Sequence, residues 1–284
     1  DGPSRLAAAV RINVPVEGGT IRVYHHQGRA DSRPVVFVSG WGTVPESFFD
    51  FFGSLLPETD LYHVETREKS SSSIDRRTGR FTMDVFAQDL LAVMKTLDLT
   101  KCQPVLCGSC FGASVVLHAL ARGLLTAPTV MIVDPMTVLW FPRWFVRWIG
   151  PILPAFLLRM LRPVIRAIVL AGMREPVQRA RARTFIDSAT VWKWRRAAMA
   201  VVDWNLFDIA PQVRERVFVV NGSNDRFHHA DLFPSVARAL PNGQFLFVPV
   251  GEHRRERLMG VVMSRFAAQP TDRGVPPELG GFIS

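Results

Sequence analysis

Residues Val105-Leu106-Cys107-Gly108-Ser109-Cys110-Phe111-Gly112-Ala113-Ser114-Val115-Val116 leave this chain few ways to fold. An apolar run of β-type residues enters Gly-x-Cys-x-Gly, and small and apolar residues leave it at helical spacing. The pattern predicts a sharp strand-to-helix turn with one thiol at its apex. Glycine at 108 and 112 has a steric reason. The apex residue is strained, and a Cβ two positions to either side would collide with the neighbouring strand or helix.

The rest of the chain repeats this strand-then-helix order. Residues 11–26 read as a hairpin around Gly18-Gly19, Pro34 to Val38 as a buried strand, and Glu46 to Leu56 as a helix. A strand from Asp60 to Thr66 leads into the polar run Arg67-Glu68-Lys69-Ser70-Ser71-Ser72-Ser73. Apolar residues recur at helical spacing from Thr82 to Leu97, with Thr82 as the cap. Val130 to Val133 is a further buried strand, ended by Asp134-Pro135. Strands at 216–220 and 244–248 enclose a helix from Ala230 to Leu240, and a last helix lies near Arg257 to Phe266. The order predicts an α/β fold, with a mostly parallel central sheet flanked by helices and interrupted once by a helical cap. The boundaries are 1–134 for the first part of the core, 135–203 for the cap, 204–268 for the second part of the core, and 269–284 for a loosely held tail.

With 284 residues, 48% of them hydrophobic, the chain has enough apolar mass for one large core and an insertion. Its net charge of +9 favours anionic partners. The insertion is the basic part: between Leu139 and Met173 arginines alternate with Trp, Phe, Leu and Ile, and no uncharged run of ~20 residues could span a bilayer. Trp140, Phe141, Trp144 and Phe145 are the expected contacts to a bulky apolar substrate group under a lid. A basic face beside aromatic residues also suits peripheral contact with an anionic membrane surface. No nucleic-acid-binding motif accompanies the charge, so nucleic acid is not an expected partner. The three cysteines, Cys102, Cys107 and Cys110, are too clustered for a disulfide framework and point to a reducing, cytoplasmic compartment. Leu6 to Val10, followed by Arg11, is too short for a secretory signal.

In a parallel sheet the loops at the carboxyl ends of the strands converge. Three such loops carry Cys110, Asp225 and His253, in the chain order nucleophile, acid, histidine. Over residues 11–266 the chain resembles an α/β hydrolase with a cap. Ser39-Gly40-Trp41-Gly42 resembles the oxyanion loop, Thr66 to Ser73 the arginine/serine loop, Gly108 to Gly112 the nucleophile elbow, Asn221 to Asp225 the acid loop, and Gly251 to His253 the histidine loop. The resemblance implies attack by Cys110, proton transfer by His253 oriented by Asp225, and oxyanion donors in the amides of Trp41 and Phe111. Two residues depart from the common pattern: the nucleophile is Cys where Ser is usual, and Ser39 stands where His is usual. The cysteine triad resembles those of dienelactone hydrolases and polyhydroxyalkanoate synthases.

Other readings of the same residues stand beside this one. Cys107-Gly-Ser-Cys110 spells the C-x-x-C redox motif, although the expected turn directs the two sulfurs apart. Zinc lacks a second cysteine pair or a nearby histidine cluster, so neither metal nor cofactor is expected. Ser109 is a rival nucleophile without glycines at the required places, and Asp134 is an alternative acid. His118 reads as structural, and His228 and His229 as solvated. The expected activity is hydrolysis of a hydrophobic ester, lactone or thioester through an acyl-cysteine. Acyl transfer by the same triad is the alternative, and a non-catalytic lipid- or partner-binding fold is the other class.

Overall fold

The structure is a computed structural model that describes residues 2–28, 32–139, 142–171, 176–221, 232–249, 252–269 and 275–282. Nine strands form one sheet among them: β1 (Val10–Val16), β2 (Gly19–His26), β3 (Val35–Val38), β4 (Leu61–Val64), β5 (Ser73–Ile74), β6 (Val105–Ser109), β7 (Thr129–Val133), β8 (Val217–Asn221) and β9 (Gly243–Phe247). The spatial order is β1-β2-β4-β3-β6-β7-β8-β9, with β5 paired to β2. From β4 to β9 every pair is parallel, and the β1–β2 hairpin joins the edge antiparallel.

The helices are α1 (Gly2–Ala8), α2 (Phe49–Ser54), α3 (Met83–Thr96), α4 (Phe111–Ala121), α5 (Ala155–Met160), α6 (Arg162–Ala171), α7 (Pro176–Ser188), α8 (Val191–Val201), α9 (Leu206–Ile209), α10 (Phe233–Ala239), α11 (Glu252–Ala268) and α12 (Pro277–Gly280). Strand alternation sorts the core into two layers. Val36, Val38, Leu106, Val130, Ile132, Val217 and Val219 face α3, α4 and α10. Val35, Phe37, Val105, Cys107, Met131, Phe218 and Val220 face α2 and α11. Thr82 caps α3 as its position suggests, its hydroxyl accepting from the Val85 amide at 3.3 Å.

The insertion between β7 and β8 carries α5 to α9. Its base belongs to the core, since Val146, Ala197, Val201 and Leu206 are buried in the same cluster as α4. Helix α8 is held down by its basic side chains. Lys193 Nζ donates to the carbonyls of Lys69 (2.8 Å) and Ser72 (2.5 Å), and Arg196 to those of Arg76 (2.5 Å) and Gly79 (3.5 Å).

Two expectations need correction. The chain after Gln269 is not a loose tail throughout: α12 buries Leu279 completely, and the Phe247 amide of β9 donates to Phe282 O at 3.1 Å. Apolar residues at 275, 279 and 282 find a groove beside β9 and α11, which outweighs the Pro/Gly composition. The last helix also begins earlier than its apolar spacing suggests, at Glu252, because its first turn is polar and exposed where Arg254 lies.

His26 on β2 and His63 on β4 are buried, with the Phe52 ring tilted against them at 4.7 and 5.4 Å between ring centres. Burial, joined by neighbouring cationic groups, pushes the His26 imidazole down to about 3. The folded chain therefore refuses a proton that the unfolded chain accepts at its ordinary value of 6.5. Stability is complete above that value and declines as the pH falls toward 3, by about 2 kcal/mol at pH 5. Urea midpoints measured at pH 7 and pH 5 are expected to show this loss, and His26→Phe to make it shallower. Midpoints equal at the two pH values would remove His26 as its source.

Candidate active site

Strand β6 ends at Ser109 and α4 begins at Phe111, so the chain reverses within one residue. Cys110 takes the turn at φ 50°, ψ −117°, outside the regions L-residues favour. Backbone hydrogen bonds hold it there. Its amide donates to Val133 O at 3.0 Å, and its carbonyl accepts from Met136 N at 3.2 Å and Ser114 N at 3.3 Å. A Cβ at Gly108 would stand 2.5 Å from Ala113 Cα, and one at Gly112 would strike the carbonyl oxygen of Val38. Close approach of strand and helix thus requires both glycines. The loop after β3 comes as near: a Cβ at Gly40 would lie 3.2 Å from Cys110 Cβ.

Neither the Trp41 amide nor the Phe111 amide has a backbone or side-chain acceptor among the described residues. Both flank the Cys110 turn, the second at the open N-terminus of α4. The two residues also touch through their rings, 5.1 Å apart at 75°. Above them lie aromatic side chains that composition did not single out. Trp194 of α8 packs edge-on to Trp41 at 6.2 Å, and Phe185 of α7 lies 4.6 Å from Trp194. Gly42 (φ +60°) has no room for a side chain beneath them, since a Cβ there would strike the Trp194 ring.

A charged network lies against the same loop, in the segment that reads as a polar run and resembles the arginine/serine loop. Glu65, Arg67, Glu68 and Lys69 are all buried. Lys69 Nζ donates to Ser39 Oγ, to Thr43 Oγ1 (3.1 Å) and to Glu65 Oε1 (3.1 Å), and Ser71 Oγ donates to Glu65 Oε2 (2.7 Å). Burial pushes the Glu65 carboxyl up, but Lys69, His63 and Ser71 outweigh it and leave it at about 2. Glu68 Oε1 accepts from the Gly42 amide (3.2 Å) and Thr66 Oγ1 (2.8 Å), which fixes the turn after Trp41. Burial raises the Glu68 carboxyl and lowers the Lys193 ammonium to about 8. Ser39, which stands where the pattern has histidine, bridges Lys69 and Glu65 through its hydroxyl. The visible signal was the alternation of sign in Glu65-Thr-Arg67-Glu68-Lys69, charges that pair with one another instead of facing water.

The other expected residues divide. Asp225, Trp140, Phe141, His228 and His229 lie outside the described residues, and so does the side chain of His253, whose backbone forms the first turn of α11. Trp144 is 63% exposed and pairs edge-on with Phe145 at 5.8 Å. Asp134, buried at φ 46° after β7, accepts from Asn221 Nδ2 at 2.7 Å and pairs with Arg255 at 3.0 Å. It thereby ties the ends of β7 and β8 to the first turn of α11. His118 is structural: its ring bonds Asp84 at 2.9 Å, and the Trp204 indole donates to it at 3.3 Å. Cys107 is buried in β6, and burial pushes its thiol up, while Cys110 is part-exposed; both are free. Among the described residues no group of three or more His, Cys, Asp or Glu could hold a metal ion.

The fold has known counterparts. The structure is similar to a thermophilic esterase from Thermogutta terrifontis (17% identity, TM-score 0.69, covering 91% of this chain and 96% of that one). It is similar to the enol-lactonase from Burkholderia xenovorans LB400 (17%, TM-score 0.69, 88% and 96%) and to a bromoperoxidase from Bacillus anthracis (12%, TM-score 0.68, 87% and 96%). No curated protein matches in sequence. The profile described as the Alpha/beta hydrolase family matches residues 35–263, from the first parallel strand through most of α11. The chain belongs to the alpha/beta hydrolase family and is an enzyme of the hydrolase kind.

Proposed function

We propose that the protein hydrolyses a hydrophobic ester, lactone or thioester through an acyl-cysteine formed on Cys110. The supporting observation is the turn at Cys110: a part-exposed cysteine on a strained apex, beside two amides that have no acceptor among the described residues. In this reading the Cys110 sulfur attacks the acyl carbon while His253 takes its proton, and the carbonyl electron pair moves onto oxygen beside the amides of Trp41 and Phe111. Collapse breaks the bond to the leaving alcohol or thiol, which receives that proton from His253. Water then attacks the acyl-cysteine, giving a proton to His253, and collapse breaks the C–S bond, so that the carboxylic acid leaves and His253 returns the proton to Sγ. Asp225 orients His253. The names of two neighbours, an esterase and an enol-lactonase, fit acyl chemistry of this kind.

Transfer to an alcohol or thiol is the second reading, since an acyl-cysteine can pass its acyl group to either acceptor, and Phe185 and Trp194 beside Trp41 would give such an acceptor an apolar neighbour. Both readings share the first half-reaction. Incubation with p-nitrophenyl esters and acyl thioesters of several lengths is expected to release the leaving group. Intact mass and peptide mapping should then place one acyl group on Cys110. Water as sole acceptor separates hydrolysis from transfer, in which added alcohol or thiol takes up the acyl group. Turnover without an adduct on Cys110, or with the adduct on Ser109, would overturn the assignment.

A further inference from the structure

The cap carries most of the exposed large apolar side chains among the described residues. Among the described residues fourteen large apolar side chains are exposed, and eleven of them lie between positions 144 and 168. Trp144, Trp148, Ile152, Phe156, Met160 and Ile168 are each more than 60% exposed. A water-facing patch this concentrated marks a surface that meets something apolar.

Charge selects the occupant. Residues 135–203 contain twelve basic and three acidic side chains, a surplus equal to the +9 of the whole chain. The arginines are interleaved with the apolar residues. Arg147 is neutralised by Asp203 and Arg166 by Asp187, whereas Arg143 and Arg159 are exposed and have no carboxylate partner among the described residues. A second copy joined through this face would bring two such surpluses together, which opposes self-association. No described helix is long and apolar enough to cross a membrane. Helix α6 has only ten residues, with Arg162 and Arg166 among its apolar positions. An apolar face bearing cations, on helices too short to span, suits a helix pair lying in the plane of an anionic lipid interface.

We infer that the cap face formed by residues 143–168 docks on an anionic lipid bilayer, with Trp148, Ile152 and Phe156 entering the headgroup boundary and Arg143 and Arg159 meeting lipid phosphates. The inference is independent of the chemistry at Cys110.

Flotation of the full chain with phosphatidylglycerol-containing vesicles and with pure phosphatidylcholine vesicles tests it. Binding is expected only to the anionic vesicles and to weaken with salt. Trp148→Ser with Phe156→Ser is expected to reduce it at least tenfold. Arg143→Glu with Arg159→Glu should reduce it by more than the roughly fivefold expected of one lost surface arginine. Both pairs should leave circular dichroism and hydrolysis of a water-soluble ester unchanged. Absence of flotation, equal flotation with neutral vesicles, or flotation that survives both pairs overturns the inference. So does a dimer in sedimentation that the apolar pair dissociates, or RNA binding that accounts for the arginine effect.

Discussion

Cys110→Ala is expected to lower ester turnover by about 10⁴-fold or more, since in the proposed mechanism it removes the nucleophile and leaves only binding and oxyanion donors. The same position separates activity from stability. At φ 50° and ψ −117° the cysteine carries backbone strain that alanine would share and glycine would relieve. Cys110→Gly should therefore be equally inactive, yet more stable than Cys110→Ala by about 1 kcal/mol, or ~2 °C in melting temperature. Steady-state turnover and thermal melting of the two variants check both halves. An alanine variant that retains more than a tenth of turnover removes Cys110 from the mechanism. A glycine variant that melts below the alanine variant removes the strain.

Asp89→Ala is expected to lower unfolding free energy by about 3–5 kcal/mol, because it leaves a buried guanidinium without its counter-charge. Arg67 has no exposed surface and meets Asp89 with two parallel bonds, Nε to Oδ2 at 2.6 Å and a terminal nitrogen to Oδ1 at 2.5 Å. It donates further to the carbonyls of Arg80 (2.5 Å) and Glu17 (3.2 Å), so one side chain joins the loop after β4 to α3 and to the β1–β2 turn. Arg67→Met with Asp89→Leu removes both charges and should recover part of the loss. Urea denaturation of the single and double variants gives the coupling between the two residues. Additive losses would show that the ion pair does not link these segments.

The features legible in the sequence were those set by local sterics and periodicity. Gly108 and Gly112 announced the tight turn, Thr82 announced the start of α3, and the apolar runs at 35–38, 105–109 and 130–133 announced buried parallel strands. What depended on distant partners was less visible. Glu68 and Lys69 are charged, and nothing in their neighbours says that Gly42 and Ser39 will take them into the interior. Trp144 and Phe145 drew notice because they stand in an aromatic run, yet the aromatic cover next to Trp41 comes from Phe185 and Trp194 on a stretch that reads as merely basic. Val275, Leu279 and Phe282 are spaced too irregularly to reveal that they share a groove. Composition reports how much apolar surface a segment has, and tertiary contact decides which neighbour covers it.

The grip of α8 on the core is made by side chains on one partner and by main chain on the other. Lys193 and Arg196 reach four carbonyls between positions 69 and 79, and every amino acid supplies the same carbonyl. Substitution along that loop can therefore alter its surface over evolutionary time without loosening the cap. Insertion or deletion there would shift the carbonyls out of reach, so conservation of length, more than of residue type, is the trace this attachment should leave in descendants of the sequence.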